Sequence, residues 1–237
     1  MFSATASPRL LLASHRLPVA IEATDGRAVL SPSSGGLATG LGSLLEHGAN
    51  LWFGSLGSAP VSGAERARVA ADAESRGLRE VRLEPHEYHA YYEVFANGVL
   101  WPLFHYMPDR IPLDSAGWHT YREVNERFAD AIAGAYRPGD IVWVHDYHLM
   151  LVPALLRERI PAARIGFFLH IPFPAYEVFR MLPWRRELLE GLLGADLVGF
   201  HMAAYVRYFS RALRHVLGLD PGLDGVVVNG RQILFRA

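Results

Sequence analysis

The chain has 237 residues, of which 51% are hydrophobic and 20% charged, and its formal net charge is −1 at pH 7. This balance is typical of a globular protein with a sizeable core, and the scattered basic residues give no reason to expect a nucleic-acid or membrane partner. The chain has no cysteine, no apolar run long enough to span a membrane and no secretory pattern at 1–7, so we expect a cytoplasmic protein without disulfides or thiolate metal sites.

The first half of the chain alternates short apolar runs with turns and helical periodicity. The expected elements, in order, are a strand at 10–13, a polar connection at 22–27 with a hairpin, an apolar helix opened by Gly35-Gly36 and reaching about Leu45, a strand at 51–53, a surface helix at 64–77 and a strand at 81–83.

The second half alternates more regularly. The expected elements are a helix at 121–136, a strand at 141–144, a helix at 150–159, a strand at 165–169, a helix at 185–193, a strand at 197–200, a helix at 203–217 and a hairpin at 226–234 that turns at Asn229-Gly230. Strands that alternate with helices of this length predict an α/β fold with a doubly wound, mainly parallel sheet. No linker-like segment interrupts the pattern, so we interpret 1–237 as one domain.

Polar side chains follow several of these strands at the point where each strand ends. In open α/β sheets, ligands bind in the crevice beyond the carboxyl ends of the strands. The sequence therefore predicts a site at one edge of the sheet. The side chains expected there are Ser14, His15, Arg16, His145, Asp146, His148 and His170.

Each candidate has a chemical reading and a structural alternative. Arg16 could hold a phosphate through its planar fork, or form a surface ion pair. Gly35 and Gly36 could offer bare amides to a phosphate at a helix start, or form a plain turn. Asp146 suits a sugar hydroxyl, and His170 could donate to a hydroxyl or a developing charge, or simply pack at the strand end.

The tract 88–106 contains four tyrosines, two phenylalanines, one tryptophan and two histidines. Aromatic faces with polar edges stack well on sugar rings, although most such residues belong to a core. Tyr91, Tyr92 and Trp101 are the members that we expect at a sugar. The run His-Asp-Tyr-His at 145–148 lacks an i, i+4 pair and a third ligand, so we predict no metal site.

Seven segments together resemble one family. They are Ala-Ser-His-Arg-Leu-Pro-Val (13–19), Ser-Gly-Gly-Leu-Ala-Thr-Gly-Leu (34–41), Trp-Phe-Gly (52–54), Tyr-Tyr-Glu-Val-Phe-Ala-Asn-Gly-Val-Leu-Trp-Pro-Leu-Phe-His-Tyr (91–106), Trp-Val-His-Asp-Tyr-His-Leu-Met-Leu-Val-Pro (143–153), Phe-Phe-Leu-His-Ile-Pro-Phe-Pro (167–174) and Gly-Phe-His (199–201). Their order resembles that in the N-terminal half of trehalose-6-phosphate synthases, which are retaining glycosyltransferases built from two facing Rossmann-like domains of the GT-B type.

The resemblance implies transfer of glucose from a nucleotide-glucose, such as UDP-glucose, to glucose 6-phosphate with retention. Arg16, Tyr92 and Asp146 match residues that bind the acceptor, glucose 6-phosphate, and Trp101 is similar to the aromatic residue that shapes the acceptor pocket. In such a reaction the leaving phosphate can help to deprotonate the acceptor, so the enzyme mainly positions the substrates and stabilises charge.

On the donor side, Gly35 and Gly36 match the glycine loop that approaches the diphosphate, and His170 matches the histidine beside the transferred glucose. His170 and Asp146 are the residues that the resemblance implies for the transfer step. It implies no metal and no cofactor besides the nucleotide-sugar co-substrate. The expected partners are these small molecules, with a homo-oligomer left open.

The chain departs from the family pattern in three ways. His15 stands where the family usually has asparagine, and Ser55 follows Trp-Phe-Gly where the family typically has a second tryptophan. The resemblance also ends about where the family crosses into its nucleotide-sugar domain. We therefore expect an acceptor-side half that is inactive alone. Half of a glucosylglycerol-phosphate synthase and a non-catalytic sugar-phosphate-binding module are the alternatives.

Overall fold

The computed structural model describes residues 8–24, 27–33, 36–46, 49–57, 59–111 and 117–237. Within these ranges the strands form a large central sheet and a separate hairpin. The strands are β1 (Leu10–Arg16), β2 (Val19–Thr24), β3 (Arg27–Pro32), β4 (Leu51–Ser55), β5 (Leu78–Glu80), β6 (Ile141–His145), β7 (Arg164–Phe168), β8 (Leu197–Gly199), β9 (Gly225–Val228) and β10 (Arg231–Arg236).

The central sheet has the strand order β5-β4-β1-β6-β7-β8-β10-β9, and β2 pairs with β3 outside it. All neighbours in the central sheet are parallel except β9, which runs antiparallel to β10. The chain moves outward from β1 through β4 to β5, then returns to β6 on the other side of β1. The order therefore reverses between β1 and β6, and the predicted doubly wound, mainly parallel sheet is confirmed.

Helices connect the strands. They are α1 (Gly36–Leu41), α2 (Gly63–Ser75), α3 (Pro85–Tyr88), α4 (Trp101–Phe104), α5 (Trp118–Ala135), α6 (Val152–Arg159), α7 (Tyr176–Phe179), α8 (Arg185–Leu192) and α9 (Ala203–Leu217), with a π-helix at His89–Leu100 and 3₁₀ turns at Gly42–Glu46, Pro108–Arg110 and Tyr147–Leu149. None of the helices in the described ranges is long and apolar enough to cross a bilayer.

Strands β1 and β4 are buried on both faces of the sheet, as is usual for parallel strands covered by other elements on both faces. Leu11 and Ala13 of β1 belong to the larger apolar cluster, which also contains the buried faces of α5, α6, α8 and α9. Leu12, between them, points to the opposite face and joins a smaller cluster with Trp52, α2 and the β2–β3 hairpin. This alternation leaves only the strand ends for polar side chains.

Most predicted elements are confirmed within a few residues, including the final hairpin, whose Asn229 and Gly230 have φ of 50° and 77°. The predicted strand at 81–83 is wrong, because β5 lies earlier, at Leu78–Glu80. Val81 and Leu83 are buried and Arg82 between them is exposed, so this segment has the alternating pattern of a strand without forming one. The helix predicted to reach about Leu45 ends at Leu41, and a 3₁₀ turn follows at Gly42–Glu46.

Candidate functional site

Two adjoining cavities open beyond the carboxyl ends of β1, β6 and β7. The small cavity, of about 170 Å³, is lined by Ser14, His15, Arg16, Leu17, Ser33, Leu37, Trp52, Tyr92, Asp146 and His148. The large cavity, of about 560 Å³, is lined by Gly36, Leu37, Gly40, Leu41, Trp143, His145, Asp146, Phe168, His170 and His201. Leu37 and Asp146 line both cavities and form their common wall.

Arg16 provides the positive charge of the small cavity. Its Nη2 donates to the hydroxyl oxygens of Tyr88 and Tyr92, each at 3.1 Å, and its Cζ lies 5.1 Å from the centre of the Tyr92 ring. Among the described residues no carboxylate pairs with Arg16, and the residue is exposed. The remaining guanidinium donors are therefore available to an anionic oxygen, as in phosphate recognition.

The backbone that carries Arg16 is held by neighbouring strand β4. The Trp52 indole Nε1–H donates to Ser14 Oγ at 2.7 Å, and Ser14 Oγ donates to the Arg16 carbonyl at 2.7 Å. A Cβ added to Gly54 would lie 2.8 Å from the Leu17 amide nitrogen and 2.9 Å from the Ser14 carbonyl oxygen, so only glycine fits there. Ser55 is buried, and its Oγ accepts a hydrogen bond from the Gly57 amide.

Two buried imidazoles form another wall of the small cavity. His15 stacks on Tyr92 at 4.3 Å and on His148 at 4.9 Å. Burial, with His148 and Arg16 adding to it, holds the pKa of His15 well below its usual range, and burial together with Arg16 lowers the pKa of His148 to about 3. Both rings are neutral at pH 7. Both nitrogens of His15 and Nε2 of His148 lack hydrogen-bond partners among the described residues.

Asp146 lies between the two cavities in a strained conformation. Its φ of 74° and ψ of 168° belong to a region that almost only glycine adopts, and such strain clusters at functional sites. Its Oδ1 accepts from the His170 amide at 3.2 Å, and its own amide donates to Phe168 O at 2.8 Å. Burial raises the pKa of Asp146 to about 6, against the effect of the hydrogen bonds from the Tyr147 and His170 amides.

The large cavity has a polar wall of three histidines. His145 Nδ1 lies 3.0 Å from His170 Nε2, and the ring of His201 lies 5.7 Å from that of His170. Burial and His170 lower the pKa of His145 to about 3, while burial and His201 lower the pKa of His170 to about 4. These two imidazoles are therefore neutral at pH 7, and they can bind uncharged hydroxyls as well as anions.

The predicted site residues are only partly brought together. Arg16, Tyr92 and Asp146 line the small cavity, while Asp146, His170 and Gly36 line the large cavity. Gly36 begins α1, and a Cβ added there would meet nothing within 4 Å. Gly35 lies outside the described residues.

Two aromatic residues lie in surroundings that differ from those expected. Trp101 lines neither cavity; it is half-buried and stacks on His105 at 4.1 Å. Its place at the acceptor stays a prediction. The expectation that Tyr91 contacts a sugar is wrong, because its side chain is fully buried and its hydroxyl donates to His148 O at 3.3 Å.

Tyr88 and His201 were not predicted as site residues. Tyr88 lies four positions before Tyr92, and a helical reading of the tract 88–106 would have placed both hydroxyls on one side. His201 follows β8 just as His170 follows β7, so the strand-end rule could have found it. Within the described ranges, no group of three or more His, Cys, Asp or Glu side chains is arranged to hold a metal ion.

Comparison with known proteins places this geometry in a family. The model of glycosyltransferase family 20 matches residues 8–237. The chain belongs to glycosyltransferase family 20. An alpha,alpha-trehalose-phosphate synthase (UDP-forming) of Emericella nidulans is 42% identical over 231 residues, which cover 95% of this chain and 46% of that protein.

Two solved structures are similar to this chain along almost its whole length. The N-terminal domain of Candida albicans trehalose-6-phosphate phosphatase is 32% identical, with a TM-score of 0.83 over 100% of this chain and 49% of that one. The alpha,alpha-trehalose-phosphate synthase (UDP-forming) of Burkholderia xenovorans in complex with glucose-6-phosphate is 31% identical, with a TM-score of 0.75 over 96% of this chain and 48% of that one. The chain thus spans about half the length of these three proteins.

Proposed function

We propose that the chain forms the acceptor-side part of an alpha,alpha-trehalose-phosphate synthase, which transfers glucose from UDP-glucose to glucose 6-phosphate with retention. The observation that carries the proposal is the pair of adjoining cavities that share Asp146, one with a guanidinium held by two tyrosine hydroxyls and one with neutral histidines. The names of two relatives, a UDP-forming synthase and a synthase in complex with glucose-6-phosphate, support the same two ligands.

The small cavity suits the acceptor. Arg16 would bind the phosphate together with the hydroxyls of Tyr88 and Tyr92, which already lie at hydrogen-bond distance from the guanidinium. Asp146, at the other side of the cavity, would accept a hydrogen bond from a sugar hydroxyl, because a carboxylate with a pKa of about 6 is mostly ionised at pH 7. Trp101 is proposed as a further acceptor residue on the resemblance alone.

The large cavity suits the donor. The amides of Gly35 and Gly36 would approach the diphosphate, and His170 would contact the transferred glucose. Because burial lowers the pKa of His170 to about 4, the ring would act as a neutral hydrogen-bond donor and not as a general acid. The leaving phosphate would then take up the proton of the acceptor hydroxyl, while Asp146, which lines both cavities, would lie between the two ligands.

The resemblance to the N-terminal domain of a trehalose-6-phosphate phosphatase favours a second candidate. In that case the chain would be a sugar-phosphate-binding domain without transferase activity. Both candidates require a phosphate at Arg16. They differ in activity: for a protein that contains the chain together with the remaining length of its relatives, only the synthase releases UDP from UDP-glucose.

The test is a calorimetric titration with glucose 6-phosphate, glucose and UDP of a protein that contains the chain together with the remaining length of its relatives, so that both ligands have their contacts. We expect glucose 6-phosphate to bind more tightly than glucose, because the phosphate supplies a charge-assisted contact. Arg16→Ala should weaken glucose 6-phosphate binding by about 1.5–3 kcal/mol and leave UDP binding unchanged. Arg122→Ala, which removes an exposed arginine of α5 outside both cavities, is the matched control and should change neither.

Equal losses for glucose 6-phosphate and UDP in Arg16→Ala would contradict the acceptor assignment. Competition by glycerol 3-phosphate separates the glucosylglycerol-phosphate alternative, since a synthase of that kind binds the glycerol phosphate at least as well as the sugar phosphate.

A further inference from the structure

The large cavity contains a direct hydrogen bond between two imidazole rings. His145 Nδ1 and His170 Nε2 are 3.0 Å apart, a distance at which one nitrogen carries the proton and the other accepts it. Both rings are neutral at pH 7, since their pKa values are lowered by burial to about 3 and about 4. The tautomer of one ring therefore determines the tautomer of the other.

The buried side of His145 decides between the two arrangements. The residue is 1% exposed, and its Nε2 has no hydrogen-bond partner among the described residues. If His145 Nδ1 accepts, the proton of His145 is on Nε2 as a buried N–H without an acceptor. If His145 Nδ1 donates, Nε2 is only a bare lone pair. Buried N–H groups without partners are rarer in proteins than acceptors without partners, so the donating arrangement is favoured.

In the donating arrangement, His170 Nε2 accepts, so the single proton of His170 is on Nδ1. None of the described residues forms a hydrogen bond with His170 Nδ1. The rings of Phe168 and His201 lie 4.8 Å and 5.7 Å from the His170 ring, centre to centre. Because His170 lines the large cavity, this N–H is available to an oxygen of a ligand there.

We propose that His145 is a positioning residue that holds His170 as the neutral Nδ1–H tautomer, directed as a hydrogen-bond donor to the large cavity. The identity of the ligand oxygen, on the glucose of a nucleotide-sugar, rests on the proposed function, whereas the tautomer does not. The same contact fixes the plane of the His170 ring, in the way that partners of metal-bound histidines fix theirs.

The test is a long-range ¹H–¹⁵N correlation spectrum of the histidine rings of the chain near pH 7.5, which reports the nitrogen that carries the proton. We expect His170 to be the Nδ1–H tautomer in the wild-type chain. A wild-type His170 that carries its proton on Nε2 would overturn the proposal without any variant.

Two variants then test the role of His145. His145→Phe keeps a planar ring but cannot donate, so we expect His170 to shift largely to the Nε2–H tautomer. His145→Asn places an amide N–H near the position of the former Nδ1–H and should restore the Nδ1–H tautomer. An Nδ1–H tautomer that is unchanged in His145→Phe would show that His145 does not position His170.

Addition of excess UDP-glucose separates this inference from the proposed function. We expect the His170 ring resonances to move in a protein that contains the chain together with the remaining length of its relatives, because the chain alone lacks the donor-side contacts. If the tautomer is as expected but the ring does not respond to UDP-glucose, the positioning role stands and the donor assignment of the large cavity fails.

Discussion

Asp146→Asn should make the protein more stable at neutral pH, although it removes a proposed site residue. Burial raises the pKa of Asp146 from 3.8 to about 6 in the folded protein. A group whose folded pKa exceeds its unfolded pKa stabilises the protein below the unfolded value, and this contribution is lost as pH rises through the folded value. Above about pH 6 the ionised carboxylate of Asp146 therefore lowers the free energy of unfolding.

The magnitude follows from the shift. About 2 pKa units correspond to about 3 kcal/mol at about 1.4 kcal/mol per unit. The side chain is 22% exposed, so solvent reduces the cost, and we expect a gain of about 1–2 kcal/mol. Asparagine keeps the shape of the side chain and an oxygen for the His170 amide, and the backbone conformation of residue 146 is equally strained in both proteins. The charge is then the main change.

The assay is urea unfolding of both proteins between about pH 4 and pH 8. We expect Asp146→Asn to be more stable at about pH 7.5, and the difference to disappear toward pH 4, where the wild-type carboxyl is protonated. A less stable variant, or a difference that does not change with pH, would refute the reasoning.

Asp140→Asn is the control of opposite sign. Burial opposes ionisation of Asp140, but hydrogen bonds from the Arg9 side chain and the Arg137 amide outweigh it and lower the pKa. Asp140 forms a 2.6 Å ion pair with Arg9, and both side chains are largely buried. Loss of this charge should therefore destabilise the protein at neutral pH, and the loss should shrink as pH falls.

Three further outcomes are expected. Gly54→Ala should destabilise the protein by about 1–3 kcal/mol or more, because its Cβ would meet the Leu17 and Ser14 backbone, whereas Gly63→Ala in open space should change little in the same thermal melts. Ser14→Ala should cost about 1–3 kcal/mol in urea unfolding by leaving the buried Trp52 N–H without an acceptor; an unchanged midpoint would contradict this. The 237-residue chain alone should release no UDP from UDP-glucose and glucose 6-phosphate in a coupled assay, because a site open to water lacks the donor-side contacts; turnover within about a hundredfold of a longer relative would contradict this.

The position of the crevice could be predicted from sequence, because it depends on where buried strands end. Arg16 ends a strand, Asp146 and His170 each follow one, and the parallel sheet brings these three strand ends together. The same rule does not decide which residue of a ring-rich helix faces a cavity. Tyr91 and Tyr92 differ by one position. The packing of the π-helix against α5 and the Tyr147–Leu149 turn buries the first and leaves the hydroxyl of the second as an acceptor for Arg16.

Features that depend on backbone segments far apart in the sequence could not be predicted either. β5 ends where its pairing with β4 ends. Glu80 pairs with Gly54, and beyond Glu80 the Val81 amide donates a hydrogen bond to Gly54 O. The strained φ of Asp146 is visible only when β6 and β7 are paired, because its amide must reach Phe168 O. The hydrogen bond between His145 and His170 likewise joins two neighbouring strand ends whose register no local pattern reveals.

The reversal of strand order at β1 has a consequence for how the chain folds. Leu11 of β1 pairs with Leu51 of β4, but its neighbour Leu10 pairs with Ile141, about 130 residues further along the chain. During synthesis, β1 and β4 can pair long before β6 exists, so one edge of β1, whose residues 10–13 are all apolar, has no partner until β6 is made. Contacts of such high sequence separation slow folding. We therefore expect the pairing of β6 with β1 to limit the rate of refolding. The same step closes the crevice.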